Sequence, residues 1–138
     1  MYLLDTDICI YIIRKRPPEV LRALKRNYRA GLHVSSISVA ELEYGVEKSA
    51  FPEKNRVALV EFLSLFDIVA FTDADAAAYG TIRTALEKNG SPIGPLDLLI
   101  AAQALSRNYT LVTNNTREFA RIETLKIDNW AASPAEGK

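Results

Sequence analysis

The chain has 138 residues, of which 49% are hydrophobic and 25% charged, and this is the composition of one ordinary globular domain. Seventeen basic residues balance seventeen acidic ones, so the net charge alone indicates neither a polyanionic nor a membrane partner. The longest unbroken apolar run, residues 8–13, is far shorter than the roughly 20 residues of a membrane helix. We therefore expect a single domain over residues 1–130, a short tail over residues 131–138, and no membrane span.

The cysteine and histidine content limits the chemistry. Cys9 has no second cysteine to pair with, and one cysteine with the single His33 cannot build a thiolate or imidazole metal site. Asp5 and Asp7 stand where a secretory signal would need basic residues and then an apolar stretch. We expect a cytoplasmic protein whose chemistry rests on carboxylates, hydroxyls, amides and basic groups.

Short β-type runs alternate with longer segments of helical periodicity. Strands are predicted over residues 2–5, 33–36, 68–71, 109–113 and 125–127. Helices are predicted over residues 6–14, 17–31, 38–48, 52–65, 72–90, 96–106 and 117–121. Because strands joined through helices pair in parallel, the predicted fold is an α/β, three-layer α/β/α sandwich with a mostly parallel central sheet of four to five strands.

Two predicted helix starts carry capping residues. Ser38 and Glu41 have the spacing of a capping box, in which a serine hydroxyl and a glutamate bind the first free N–H groups of a helix. Thr72 is the predicted N-cap of the alanine-rich helix that follows the third strand. Each cap predicts where its helix begins.

Four acids follow predicted strands or open predicted helices, and in parallel sheets ligands bind beyond the carboxyl ends of the strands. Capping, helix-dipole and surface roles explain such acids one at a time, but they do not require all four at one edge of one sheet. We therefore expect the four carboxylates to converge and to be the catalytic acids: Asp5, Glu41, Asp97 and Glu118.

Clustered carboxylates repel one another unless one takes up a proton or a cation enters. Oxygen ligands without histidine or cysteine favour Mg²⁺ or Mn²⁺ over Zn²⁺. An ion held in this way activates water and neutralises charge on phosphoryl oxygens, which is the chemistry of phosphodiester hydrolysis. Hydroxyls and amides expected to support the site are those of Thr6, Ser38, Thr113, Asn114 and Asn115.

Positive charge is concentrated in residues 14–29, where seven basic residues stand against one acid for a local charge of +6. Part of this segment forms one predicted helical stripe, opposite Leu21, Leu24 and Tyr28. The stripe suits a polyanion such as RNA, although a solvated helix face has the same pattern. The candidate RNA-binding residues are Arg14, Lys15, Arg22, Lys25, Arg26 and Arg29.

Aromatic residues are weaker evidence for RNA binding than the basic stripe. They could stack on bases, but aromatic side chains at helical spacing are expected in the core. The residues in question are Tyr11, Tyr28, Tyr44, Phe51 and Tyr79.

Four blocks of the sequence resemble the PIN-domain ribonucleases, and among them the VapC toxins of bacterial toxin–antitoxin pairs. They occur in the family's order and cover nearly the whole chain. The blocks are Leu-Leu-Asp5-Thr6-Asp7-Ile-Cys-Ile, Ser-Val-Ala-Glu41-Leu-Glu-Tyr-Gly, Ile-Gly-Pro-Leu-Asp97-Leu-Leu-Ile-Ala-Ala and Leu-Val-Thr113-Asn114-Asn115-Thr116-Arg-Glu118-Phe.

The resemblance implies an endoribonuclease that uses Mg²⁺ or Mn²⁺ bound by Asp5, Glu41 and Asp97. It also implies a homodimer that is silenced by a cognate VapB-type antitoxin and that arrests translation when free. Many such toxins cut tRNA, and the first and last blocks resemble those of enzymes that cut the anticodon stem-loop of initiator tRNA.

The sequence departs from the family pattern at two positions. Many PIN domains have an acid where this chain has Asn115, so Glu118 is the candidate for the fourth carboxylate. Many relatives have asparagine where this chain has Asp7, which adds a negative charge beside Asp5.

Three other functions would use these residues in different roles. A haloacid-dehalogenase-like phosphohydrolase would use Asp5 as its nucleophile, but its usual motif residue is replaced by Cys9. A phospho-acceptor module would need an aspartate where Phe71 ends the third predicted strand. A non-catalytic PIN-like module that binds RNA or protein would be favoured only by loss of the acids, and here the acids are present.

Overall fold

The computed structural model describes residues 1–131. Apart from Ala131, the predicted tail lies outside the described residues. The strands are β1 (Tyr2–Leu4), β2 (Leu32–Ser35), β3 (Asp67–Val69), β4 (Thr110–Val112) and β5 (Ile127–Asp128). The helices are α1 (Thr6–Arg14), α2 (Pro18–Asn27), α3 (Ser36–Glu47), α4 (Pro52–Leu63), α5 (Asp73–Lys88), α6 (Pro95–Arg107) and α7 (Thr116–Phe119).

Within residues 1–131, five strands form one parallel sheet in the order β3-β2-β1-β4-β5. The central strand is β1, whose Leu4 pairs with Val34 on one side and Val112 on the other. Because every strand runs in the same direction, the strand ends share one edge, which we call the carboxyl edge. The predicted α/β fold with a parallel sheet is confirmed.

The sheet is covered by helices on both faces. Leu4, Val34 and Val112 pack in a core with residues of α1 to α4, whereas Leu3 and Leu111 pack in a second core with residues of α5, α6 and α7. Adjacent residues of a strand point to opposite faces, so the two central strands β1 and β4 contribute to both cores. The predicted three-layer sandwich follows from this alternation.

The capping box predicted for Ser38 and Glu41 is wrong. Helix α3 begins at Ser36, because the Ser35 hydroxyl accepts a hydrogen bond from the backbone N–H of Ile37 at 3.0 Å and so caps the helix earlier. Ser38 is therefore a buried residue inside α3. Glu41 is free of any capping role and is available to the carboxyl edge.

Helix α2 is shorter than predicted. It ends at Asn27 and is followed by a 3-10 turn over Tyr28–Ala30. Gly31 then turns the chain into β2 with φ +89°, where a Cβ atom would also lie only 3.0 Å from Met1 Cγ. Smaller differences affect the third and fifth strands, which lie at Asp67–Val69 and Ile127–Asp128. None of the helices within residues 1–131 is long and apolar enough to cross a bilayer.

The N-cap predicted at Thr72 is confirmed, and its partner is a fully buried acid. Asp75 accepts a hydrogen bond from the Thr72 backbone N–H at 2.8 Å and others from Ser106 and Arg107 at the end of α6. Burial alone would raise the pKa of Asp75, but the bonds from Ser106 and Thr72 and the Arg107 charge together lower it. This cluster holds the start of α5 against the end of α6.

We expect Asp75→Asn to destabilise the protein by about 2 kcal/mol or more, because it removes the charge on which a buried network is centred. Urea unfolding at neutral pH measures the loss. The matched control is Asp73→Asn, which changes an exposed acid in the same helical turn. An Asp75→Asn protein as stable as Asp73→Asn would contradict this interpretation.

Candidate active site

Asp5 follows β1 at the centre of the carboxyl edge, and both of its carboxylate oxygens are held. Oδ1 accepts a hydrogen bond from the Thr6 backbone N–H at 2.8 Å, which also makes Asp5 the N-cap of α1. Oδ2 accepts one from the hydroxyl of buried Thr113 at 2.8 Å. With an exposed fraction of 5%, Asp5 is a nearly buried carboxylate in a fixed orientation.

Thr6 connects α1 with α3. Its hydroxyl donates to Glu41 Oε1 at 2.7 Å, and its oxygen also lies 2.9 Å from Ser38 Oγ. The structure thus brings the Glu41 carboxylate to the residue that follows Asp5, and Ser38 joins them from inside α3. These contacts connect two parts of the sequence that are more than 30 residues apart.

Asp97 and Glu118 approach the carboxyl edge from α6 and α7. The backbone N–H of Gly94, the N-cap of α6, donates to Glu118 Oε1 at 2.9 Å. A Cβ atom placed on Gly94 would lie 3.6 Å from Asp97 Oδ2 and 3.8 Å from Glu118 Oε1, so both carboxylates face the same small space. The side-chain amide of Asn115 donates to the second oxygen of Glu118.

The pKa values of the acids reflect their mutual proximity. Burial and the neighbouring Asp7 raise the pKa of Asp5 from 3.8 to about 7, although the hydrogen bonds from Thr113 and Thr6 act in the opposite direction. Burial and Glu118 raise the pKa of Asp97 to about 6, with smaller contributions from Glu41 and Asp7. A cluster whose members disfavour one another's ionisation is stabilised by a cation.

The donor set suits a hard divalent ion. All the convergent side-chain groups are carboxylate, hydroxyl or amide, and such oxygen atoms are the ligands that Mg²⁺ and Mn²⁺ accept. Within residues 1–131, no three His, Cys, Asp or Glu side chains lie close enough together to enclose an ion without help. Mg²⁺ keeps several waters and takes substrate phosphate as a further ligand, so carboxylates that face one another without enclosing an ion can still share one.

Asp7 is a site residue that sequence reasoning did not include among the catalytic acids. It lies in the first turn of α1 and accepts hydrogen bonds from the backbone N–H groups of Ile8 at 2.7 Å and Asn114 at 3.1 Å. Burial raises the pKa of Asp7. The signal in the sequence is its position two residues after Asp5, which places a second acid at the same strand end.

The candidate RNA-binding residues are all exposed, but they do not form the predicted continuous stripe. Arg22, Lys25 and Arg26 share α2, whereas Arg29 lies in the 3-10 turn beyond it. Arg14 is at the end of α1 and lines a cleft that also contains Glu41. Lys15 caps the same helix in the left-handed conformation.

The predicted packing of α2 and of the aromatic residues is partly wrong. Val20 and Ala23 are the buried residues of α2, whereas Leu21 and Leu24 are half-buried. Of the five aromatic residues expected in the core, Tyr11 and Tyr79 are half-buried. The other three are exposed: Tyr28 by 51%, Tyr44 by 66% and Phe51 by 69%.

A parallel α/β sandwich with acids at the ends of its central strands is an arrangement that metal-dependent phosphoryl-transfer enzymes, nucleases among them, use for their active sites. The family model described as "PIN domain" matches residues 2–125, and the chain belongs to this family.

Two relatives match over nearly their whole length. The chain is 47% identical to "Ribonuclease VapC2" of Haemophilus influenzae over 94% of this chain and 97% of that protein. It is 40% identical to "tRNA(fMet)-specific endonuclease VapC" of Shigella flexneri over 94% and 98%. The VapBC2 complex of Rickettsia felis, solved with a DNA fragment from its promoter, contains a chain of TM-score 0.89 and 44% identity, with coverage of 94% and 98%. Within the PIN-domain family, the chain is therefore a VapC-type endoribonuclease toxin, and the phosphohydrolase and non-catalytic alternatives are not favoured.

Proposed function

We propose that the protein cleaves tRNA in the anticodon stem-loop of the initiator species, with Mg²⁺ or Mn²⁺ as its cofactor, and thereby arrests translation. The observation that carries the proposal is the convergence of Asp5, Glu41, Asp97 and Glu118 at the carboxyl edge, with raised pKa values at Asp5 and Asp97. The similarity to an endonuclease named for initiator tRNA supports the choice of substrate.

The acids have different parts in this proposal. Asp5, Glu41 and Asp97 bind the ion, with Asp5 at the centre because its two oxygens are already oriented by neighbouring hydrogen bonds. Glu118 completes the cluster and also holds the N-terminus of α6, which carries Asp97. When bound, the ion supplies a polarised water and neutralises charge on the phosphoryl oxygens.

The neighbouring hydroxyls and amides position these acids. Thr113 orients Asp5 and also accepts the backbone N–H of Asn115 at 3.0 Å. Thr6 orients Glu41, and Ser38 contacts the Thr6 hydroxyl. The backbone of Asn114 binds Asp7, and the amide of Asn115 binds Glu118. Fixed second partners of this kind keep ligands in the geometry that metal binding requires.

The exposed basic residues extend the proposal to RNA binding. Cations on α2 and at the end of α1 neutralise backbone phosphates and draw RNA towards an edge that is otherwise acidic. Among them, Arg14 lines the same cleft as Glu41. The residues proposed for this role are Arg14, Lys15, Arg22, Lys25, Arg26 and Arg29.

The proposal includes partners. The similarity to the VapBC2 complex supports control by a cognate VapB-type antitoxin. We further propose that the toxin acts as a homodimer in the cytoplasm, where its tRNA substrate is found. Light scattering of the isolated protein and of the protein with its antitoxin tests the two assemblies.

The test of the function is direct. Purified protein is incubated with total tRNA in chelator and after addition of Mg²⁺ or Mn²⁺, and the fragments are sequenced. We expect metal-dependent cuts in the anticodon stem-loop of initiator tRNA. Cuts spread over all tRNAs would contradict the substrate, and cleavage in chelator would contradict the cofactor.

Thr113 provides a test of positioning. We expect Thr113→Val to lower kcat about 10- to 100-fold while KM for RNA changes little, because the valine cannot donate a hydrogen bond to Asp5 Oδ2. Thr113→Ser keeps the hydroxyl and should restore most of the activity, which a purely structural role of the threonine methyl group would not predict. Steady-state cleavage kinetics of both variants decide the matter, and equal losses in the two would rule out a role for the hydroxyl.

A further inference from the structure

The end of α5 and the start of α6 lie together beside the carboxyl edge. The start of α5 contacts the end of α6 through Asp75 and Ser106, so the two helices are antiparallel. Residues 89–94 connect the two helices, and two side chains, one in α7 and one just after it, form hydrogen bonds with this connection. Gly94 donates to Glu118, and the Arg121 guanidinium donates to the Pro92 carbonyl oxygen at 2.8 Å.

A cavity of about 240 Å³ opens in this corner, between α5, the connection and the start of α6. Ile93 and Pro95 line the cavity and flank Gly94 in the sequence. The carboxylates of Asp97 and Glu118 face the space beside the Gly94 Cα atom. The cavity therefore begins one residue from the acidic site. It is smaller than the roughly 300–1,000 Å³ of pockets for drug-sized ligands, and it suits a single flat ring system.

The lining combines an apolar floor with a fixed planar cation. Leu86 and Leu98 form buried parts of the wall. The Arg83 guanidinium donates to Glu87 Oε2 at 3.1 Å and to the Tyr79 hydroxyl at 2.9 Å, and its carbon lies 5.9 Å from the centroid of the Tyr79 ring. These contacts orient the guanidinium plane, and the side chain remains 55% exposed. Nucleobases stack on such guanidinium planes and on aromatic rings.

We propose that this cavity binds one nucleobase of the RNA, next to the phosphodiester that lies at the carboxylates. The base stacks on Arg83 and Tyr79, and Leu86 and Leu98 exclude water from its inner face. Arg83 and Tyr79 thus determine which nucleotide flanks the cut. This inference rests on the proposed RNA cleavage, and it adds a subsite to the acids and the basic residues of α2.

The experiment compares RNAs that differ at a single base. Oligoribonucleotides spanning the cut site are made intact or abasic at the position on either side of the scissile bond, and kcat/KM is measured for each. For the unmodified protein, we expect one abasic position to lower kcat/KM about 5- to 150-fold, the range for loss of one stacked base. Arg83→Ala and Tyr79→Leu should cause a similar loss on intact RNA and little further loss on that abasic RNA.

Two further variants separate stacking from charge. Arg83→Lys keeps the positive charge but not the planar group, so it should lose the dependence on the base. Lys88→Ala removes a charge from the exposed end of the same helix, outside the cavity, and should keep both the rate and the dependence on the base. Urea unfolding verifies that each variant is folded.

Several outcomes would overturn the inference. Equal losses of kcat/KM on intact and abasic RNAs would show that Arg83 contacts a phosphate and not a base. Unchanged rates in Arg83→Ala and Tyr79→Leu would show that the cavity does not bind the RNA. A change in molecular mass by light scattering in these variants would make the cavity an interface between copies of the chain. If the unmodified protein cleaves no RNA, the proposed function itself fails, and this result is distinct because it precedes any comparison of variants.

Discussion

Asp5→Asn should lower RNA cleavage by about 100- to 1,000-fold or more while leaving the protein folded. The asparagine has nearly the same shape, and its carbonyl oxygen still accepts the Thr6 N–H that caps α1. The negative charge at the centre of the acidic cluster is lost, however, and with it the main attraction for a divalent ion. Cleavage of purified tRNA in Mg²⁺ or Mn²⁺ measures the effect.

Asp73→Asn is the matched control for this prediction, because it removes the same charge from an exposed turn of α5. Its cleavage rate should equal that of the unmodified protein. If Asp5→Asn kept more than about a tenth of the parent rate, Asp5 would not be the central ligand, and the role proposed for the whole cluster would have to be revised.

The second large effect concerns stability without metal. The pKa values of Asp5 and Asp97 are raised in the folded protein to about 7 and about 6, whereas both are near 3.8 when unperturbed. The folded state therefore binds protons that the unfolded state has released, and stability falls as pH rises from about 4 to about 7. At about 1.4 kcal/mol per unit of pKa, the raised pKa values of both acids predict that the free energy of unfolding falls by several kcal/mol across this window.

Urea unfolding in chelator at pH 5.5 and pH 8 measures this loss. Asp5→Asn should be more stable than the unmodified protein at pH 8 and should show a smaller dependence on pH. Addition of Mg²⁺ or Mn²⁺ at pH 8 should restore stability to the unmodified protein, because an ion that binds only the folded state stabilises it. Stability that rises between pH 5.5 and pH 8 in chelator would contradict the cause assigned to the raised pKa values.

The main features of the fold were predictable because they depend on patterns that few structures satisfy. Alternation of short apolar runs with helical segments leaves a parallel sheet as the natural arrangement, and a parallel sheet brings its strand ends to one edge. The convergence of Asp5 and Asp97 follows from this geometry alone. Their separation of more than 90 residues in the sequence therefore did not hide it.

Details that depend on competition between equivalent residues were not predictable. Ser35, Ser36 and Ser38 can all cap a helix, and only the fold determines that the chain turns at Ser35. In α2, both the set with Val20 and Ala23 and the set with Leu21 and Leu24 have helical spacing. In the fold, Val20 and Ala23 are buried in the core, and Leu24 packs against it only partly buried.

Long-range contacts of single side chains could not be predicted from the sequence either. The sequence alone indicates a surface acid at Glu118. In the structure, Glu118 accepts a hydrogen bond from the backbone N–H of Gly94 and holds the start of α6. Nothing near Glu118 in the sequence indicates this partner, which lies 24 residues away. The cavity beside Gly94 was unpredictable for the same reason, because its walls come from α5, α6 and the connection between them.

The central claim is that the carboxylates at the end of β1 and the start of α6 form one divalent-metal site. Calorimetric titration of Mn²⁺ into the protein at pH 8 tests it most directly, with Asp5→Asn, Asp97→Asn and the control Asp73→Asn in parallel. We predict binding to the unmodified protein and to Asp73→Asn, with weaker binding at pH 6, where the raised pKa values retain protons. Binding by Asp5→Asn and Asp97→Asn as tight as that of the unmodified protein, or no binding by any of the four proteins, would contradict it.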